Sequence, residues 1–151
     1  MLESLNISEL TPHVAPMLLL DGLVDANSDY LVSELSVRCD GLFDQDGSVP
    51  AYLGLEFMAQ TIAAYSGYQA RLRGASVKPG FLLGTRRFNT NVGCLPCGEK
   101  LIVTVNRAVH GESGVAAFEC TVSGNGVEQS ATLAVYEPPD AKAFLRGDHS
   151  V

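Results

Sequence analysis

Apolar positions along this chain follow two periods. In "YLVSELSVRC", Leu31, Leu35 and Val37 fall on one face and Glu34 and Arg38 on the other, the alternation of a half-buried strand. Four further strand-length segments follow later in the chain, "PGFLLGTRRFNTNV", "EKLIVTVNRAVH", "GVAAFECTVSG" and "GVEQSATLAVYE", and the last two alternate. Ala116, Phe118, Cys120 and Val122 share a face in one, and Ala131, Leu133 and Val135 in the next. Gly- and Pro-rich breaks separate these segments, which predicts an antiparallel meander. An earlier strand is predicted in "PMLLLDGLVD", followed after "YLVSELSVRC" by the Asp- and Gly-rich loop "DGLFDQDGS". Between the two halves lies a helical pattern. Ser48 is placed to cap it, Pro50 suits its first turn, and Gly74 closes it after about Arg73. From Ala51 to Ala64 the helix is apolar on nearly every side, the mark of a helix enclosed by other structure. One buried helix with an antiparallel sheet is an α+β domain. It is read as a single domain over 1–151, with a core at about 10–136 and a loosely held tail, 137–151, behind Pro138-Pro139.

Composition narrows the function. Of 151 residues, 46% are hydrophobic and 18% charged, enough apolar material for one core. A net charge of −7 argues against a nucleic-acid binder, which needs a basic face. The acidic "MLESLNISEL" lacks the basic start of a signal peptide, and the apolar stretch Val49 to Tyr68 contains Pro50, Glu56, Gln60 and Thr61, which are costly in lipid. A cytoplasmic protein is therefore expected. Of Cys39, Cys94, Cys97 and Cys120, only Cys94 and Cys97 have metal-ligand spacing, and a zinc site would need a second pair. No metal is expected, and the cysteines read as reduced thiols near a turn.

Two side chains stand out chemically. Glu56 sits in the apolar turn "LGLEFM". Burying a carboxylate there costs several kcal/mol unless it is paired or protonated. A carboxyl group that keeps its proton near neutral pH is a proton donor. Gln60, one turn on, shares its face and is placed to orient it. His13 lies between Pro12 and Pro16, which restrict the backbone and hold the imidazole in place. Each also has a structural reading, as a hydrogen-bonded core group or a histidine at the start of a strand. His110 and His149 read as solvated. With no G-x-S-x-G elbow, phosphate loop or dinucleotide fingerprint, the pair points to proton transfer without an organic cofactor.

Three stretches carry a family resemblance. "PHVAPMLLLDGLVD" resembles the "PHRYPFLLVDRV" signature of the 3-hydroxyacyl-acyl-carrier-protein dehydratases. "VPAYLGLEFMAQTIAAYSG" resembles their central-helix motif, and "GFLLGTRRFNTNVGCLPCGEKL" the strand and turn that follow. The match runs from about Leu10 to Tyr136 and is closer still to the dehydratase-like subfamily of aryl-polyene lipid biosynthesis. The resemblance implies a hotdog fold, a curved antiparallel sheet wrapped around one central helix. It implies His13 as catalytic histidine, Glu56 as catalytic carboxylate, and the backbone N–H of Ala51 as the donor that stabilises an enolate oxygen. Ala51 replaces a family glycine, "DQDGSVP" shortens the family's "GHFPG-P" loop, and Cys97 interrupts its Pro-Gly-Asp turn.

The activity implied is dehydration of 3-hydroxyacyl thioesters to trans-2-enoyl thioesters. No cofactor is implied beyond the phosphopantetheine arm of an acyl carrier protein, which bears the substrate. Arg71, Arg73, Lys78, Arg86 and Arg87 are the expected docking cations for that acidic carrier. The resemblance further implies a homodimer in which histidine and carboxylate come from different chains, since nothing local in the sequence links His13 to Glu56. The alternatives are a hotdog thioesterase using Glu56 to activate water, a subunit active only beside a second, different hotdog protein, and a lipid-binding module.

Overall fold

In a computed structural model, the chain is described over residues 5–11, 17–41, 43–74, 81–110 and 114–136. Its centre is helix α1 (Leu53–Leu72), and around it curves a six-stranded antiparallel sheet. The strands are β1 (Gly22–Ala26), β2 (Tyr30–Ser36), β4 (Phe81–Thr90), β6 (Lys100–His110), β7 (Val115–Gly124) and β8 (Val127–Tyr136), in the order β1-β2-β6-β7-β8-β4. A two-stranded ribbon, β3 (Ser48–Pro50) with β5 (Cys94–Pro96), leads the chain into the helix. This is the curved sheet around one helix that the resemblance implied.

Alternation in the strands builds the core. In β7 and β8 every second residue is buried, and Phe118 and Leu133 are fully covered. Phe118 meets Tyr65 of the helix edge-on, with ring centroids 5.4 Å apart. Polar groups on this face find partners at two places. Ser33 and Thr61 share a 2.8 Å hydrogen bond, and Tyr65 Oη donates to the Ser28 carbonyl. Gly67 lets the helix touch the chain at Leu10, since a Cβ there would lie 1.9 Å from the Leu10 carbonyl oxygen.

Several expectations are corrected. Ser48 does not cap the helix. Ser48–Pro50 is a strand, because Val49 pairs with Leu95 and both are buried, and the helix starts at Tyr52 with no side-chain cap. Pro50 is accommodated as the last residue of a short ribbon strand. Gly74 does close the helix, at φ +66°. The meander holds for β6-β7-β8 alone. β4 lies beyond β8 at the sheet edge, and β6 pairs with β2 instead. His110 is the last residue of β6 rather than part of a turn. The tail from residue 137, His149 with it, lies outside the described residues.

Candidate active site

Gln60 organises the site. It is fully buried, and its side-chain amide makes three bonds. Nε2 donates to Glu56 Oε2 at 2.8 Å and to the Met17 carbonyl at 2.8 Å, while Oε1 accepts the Leu19 N–H at 2.9 Å. Glu56 and Gln60 meet because residues four apart stack on one helix face. The Met17–Leu19 segment is not in a strand, so its backbone groups need partners, and the amide supplies one of each kind. Gln60 thus joins the Glu56 carboxylate to the Met17–Leu19 backbone.

Glu56 itself is half-exposed rather than buried. It lies on the helix face with Leu55, Ala59 and Ala63, all of them only partly covered by this chain. The helix is therefore enclosed by its own sheet on one side and open on the other. His13 falls outside the described residues. Met17, four positions on in the sequence, is tied through Gln60 to Glu56.

The expected oxyanion donor is engaged elsewhere. The Ala51 N–H donates to the Gly93 carbonyl at 3.1 Å, continuing the β3–β5 ribbon by one residue. The Ala51 carbonyl accepts the Gly54 N–H at 3.0 Å, the first bond of the helical turn. Among the described residues, the donors that the helix start leaves over are the N–H groups of Tyr52 and Leu53, ahead of that first bond. The β3–β5 ribbon that takes up this N–H could not be read from "SVP" and "CLP".

Beside the helix start is a small apolar cavity with room for little more than one water. Leu53 and Phe57 of the helix, Leu19, Val37 and Phe43 line it. Phe43 belongs to the connection between β2 and β3, which a disulfide pins down. Cys39 is bonded to Cys97, with Cα atoms 5.6 Å apart. This corrects the reading of reduced thiols. The partner of Cys97 is not its C-x-x-C neighbour Cys94 but a cysteine brought near by the Val37–Glu99 and Gly98–Val37 backbone bonds. Cys94 is free and exposed, and Cys120 is free and buried. Donor atoms of Cys39, Asp44 and Cys97 lie within 4.8 Å of one another, but as a disulfide the two sulfurs have no thiolate to offer a metal.

The expected docking cations are spread over the end of the helix and edge strand β4. Arg71 pairs with Glu9 at 3.4 Å, and Arg73 lines a polar cleft with Asp29, Gln69 and Arg107 at the far end of the helix. Arg86 and Arg87 are exposed on edge strand β4, and Lys78 lies outside the described residues. Among the described residues no helix is long and apolar enough to cross a membrane.

Residues 5–146 match the ApeP-like family, described as ApeP dehydratase. A chain of the dehydratase heterocomplex ApeI:P from Xenorhabdus doucetiae is 27% identical, with a TM-score of 0.84, over 97% of this chain and 99% of that one. Thioesterase superfamily member 2 from Mus musculus is 14% identical at TM-score 0.55, covering 76% of this chain and 79% of that one. A mutant form of the phenylacetic acid degradation protein PaaI from Thermus thermophilus is 17% identical at TM-score 0.59, covering 80% of this chain and 94% of that one. These last two share the fold alone. No curated protein matches the chain in sequence.

Proposed function

Because this chain belongs to the ApeP-like dehydratase family, we propose that it removes water from 3-hydroxyacyl thioesters carried on an acyl carrier protein. The product is the trans-2-enoyl thioester, and the setting is fatty-acid-like or aryl-polyene lipid synthesis. The observation that carries this reading is the Gln60 amide, which holds the Glu56 carboxyl against the Met17–Leu19 segment that follows His13.

In this reading the neutral imidazole of His13 takes a proton from C2 of the substrate. Charge moves to the thioester oxygen, where the Tyr52 and Leu53 N–H groups at the helix start stabilise it. Glu56 gives a proton to the departing 3-hydroxyl, and water leaves. Histidine has then gained the proton that the carboxyl lost, and exchange with solvent resets both. Gln60 donates to Oε2 and so orients the carboxyl that gives the proton. No cofactor takes part beyond the phosphopantetheine arm, and Arg73, Arg86 and Arg87 are the exposed cations offered to the carrier.

The similarity to a chain of the ApeI:P heterocomplex favours a second hotdog subunit as partner, homologous but different in sequence. Such a subunit would cover the half-exposed helix face that bears Glu56 and remove its carboxyl from water. The deciding experiment is mass spectrometry of 3-hydroxyacyl carrier protein after incubation with this chain, alone and with a hotdog partner. Loss of one water from the acyl group is expected. Release of free acid would move the protein to the thioesterases, and an unchanged acyl group in both mixtures would overturn the enzyme reading.

A further inference from the structure

Gln129 is a polar residue where the alternation of β8 asks for an apolar one. It points inward between Val127 and Ala131 and is only 3% exposed. Its Nε2 donates to the Ala51 carbonyl at 2.8 Å and to Thr90 Oγ1 at 3.1 Å. Its Oε1 is buried and has no hydrogen-bond partner among the described residues. A Cβ at position 54 would come within 1.8 Å of that oxygen. Gly54 is thus a glycine inside a helix, at a cost in helix propensity, and the room it leaves is filled by the Gln129 amide. An apolar side chain of the same length would fill the slot without orphaning an acceptor. What glutamine adds is the donor to Ala51.

That donor acts on one peptide plane. The Ala51 carbonyl and the Tyr52 N–H belong to the same planar, trans unit and point in opposite directions. Holding the carbonyl toward β8 directs the Tyr52 N–H away from the sheet, at a residue that is 66% exposed. The preceding plane is held as well, by the Ala51 N–H on Gly93. We propose that Gln129 is a positioning residue for the dehydration. Its grip on the Ala51 carbonyl aims the Tyr52 N–H at the thioester oxygen, and Gly54 is glycine to make room for that grip. The inference rests on the dehydratase reading above.

Two variants test it, with 3-hydroxyacyl carrier protein as substrate and the full chain with its hotdog partner as enzyme. Gln129→Met keeps the length and volume and removes the donor. Its kcat is expected to fall about 10- to 100-fold, part of what one oriented oxyanion donor is worth, with KM within about twofold. Gln129→Glu keeps the shape, but an ionised carboxylate cannot donate to a carbonyl. Its kcat relative to wild type at each pH should recover as pH falls and the acid gains an O–H. That recovery is internal to one folded protein and stands even if the Met variant folds poorly. Amide hydrogen exchange at Gly54, whose N–H donates to the Ala51 carbonyl, reports the plane directly and should speed up in Gln129→Met. Unchanged exchange, or faster exchange with kcat at the wild-type level, would overturn the positioning role. If wild-type protein dehydrates nothing with or without a partner, the dehydratase reading fails. Gly54 exchange then decides whether Gln129 holds the helix start at all.

Discussion

Glu56 and Gln60 share a hydrogen bond of 2.8 Å, and a glutamine at position 56 would preserve it through its own carbonyl oxygen. Glu56→Gln therefore removes the acidic proton while keeping volume and bonding. A kcat at least about 100-fold lower is expected, at the level of a lost general acid, with an unchanged thermal midpoint by calorimetry. Turnover within a few-fold of wild type would take Glu56 out of the chemistry. The cysteines offer a prediction independent of the reaction. Burial pushes the Cys120 thiol up to about 12 from 9.0, with the neighbouring Glu119 charge adding to it. Native protein treated with iodoacetamide at pH 8 should carry label on exposed Cys94 and none on Cys120, read by peptide mapping. The sign for stability follows. Below about pH 9 folded and unfolded chains both keep the Cys120 proton. Between there and about 12 only the folded chain does, so stability falls as pH rises, by up to about 1.4 kcal/mol per pH unit from this group.

The central helix is held against the rest of the fold by close approaches as much as by side chains. At Gly67 the helix backbone meets the Leu10 carbonyl, three residues before His13, and a Cβ would fall 1.9 Å from that oxygen. Gly67→Ala should cost about 1–3 kcal/mol, the usual range for overpacking, and lower the melting temperature by roughly 2–4 °C per kcal/mol. An unshifted melting curve would show that Leu10 yields freely. The loop carrying Phe43 is held by the Cys39–Cys97 bond, which spans 58 positions and encloses the helix start. Reduction, or Cys39→Ser, should lower unfolding stability by about 2–4 kcal/mol. Equal denaturation midpoints with and without reductant would mean the bond does not form in solution. At this scale the helix was legible from Ala51 to Gly74, and strands β2, β7 and β8 from their alternation, because those patterns are local. The β3–β5 ribbon, the place of β4 beyond β8 and the Cys39–Cys97 pairing were not. Each depends on which distant segment lies alongside, and "SVP" and "CLP" are too short to show a period. In the site, Glu56 and Gln60 were legible as a four-residue spacing. The bonds to Met17 and Leu19 and the grip of Gln129 on Ala51 cross 41 to 78 positions, and no spacing announces them.

Taken as a whole, this chain is finished on one side only. The sheet has two edges, β1 and β4, and they differ. β4 is ten residues long, with bulges on either side of Gly84–Arg86, and it leaves Leu82 and Leu83 52% and 57% exposed. β1 is five residues long, with Val24 at 46%. A long edge with adjacent exposed leucines is a template for another strand, and the shorter edge is blunter. The second hotdog subunit proposed above is therefore expected on β4. Burying one leucine contributes about 1.5–3 kcal/mol, and an unpaired ammonium in its place costs more. Leu83→Lys should weaken association at least about tenfold while leaving the melting temperature of the isolated chain nearly unchanged, since Leu83 packs against little within it. Val24→Lys places the same charge on the other edge and should not affect association. Light scattering and titration calorimetry with the hotdog partner, and of the chain with itself, would separate the cases. If Leu83→Lys pairs normally and Val24→Lys does not, the partner sits on β1. If both pair normally, association runs through the helix face and not through a strand edge.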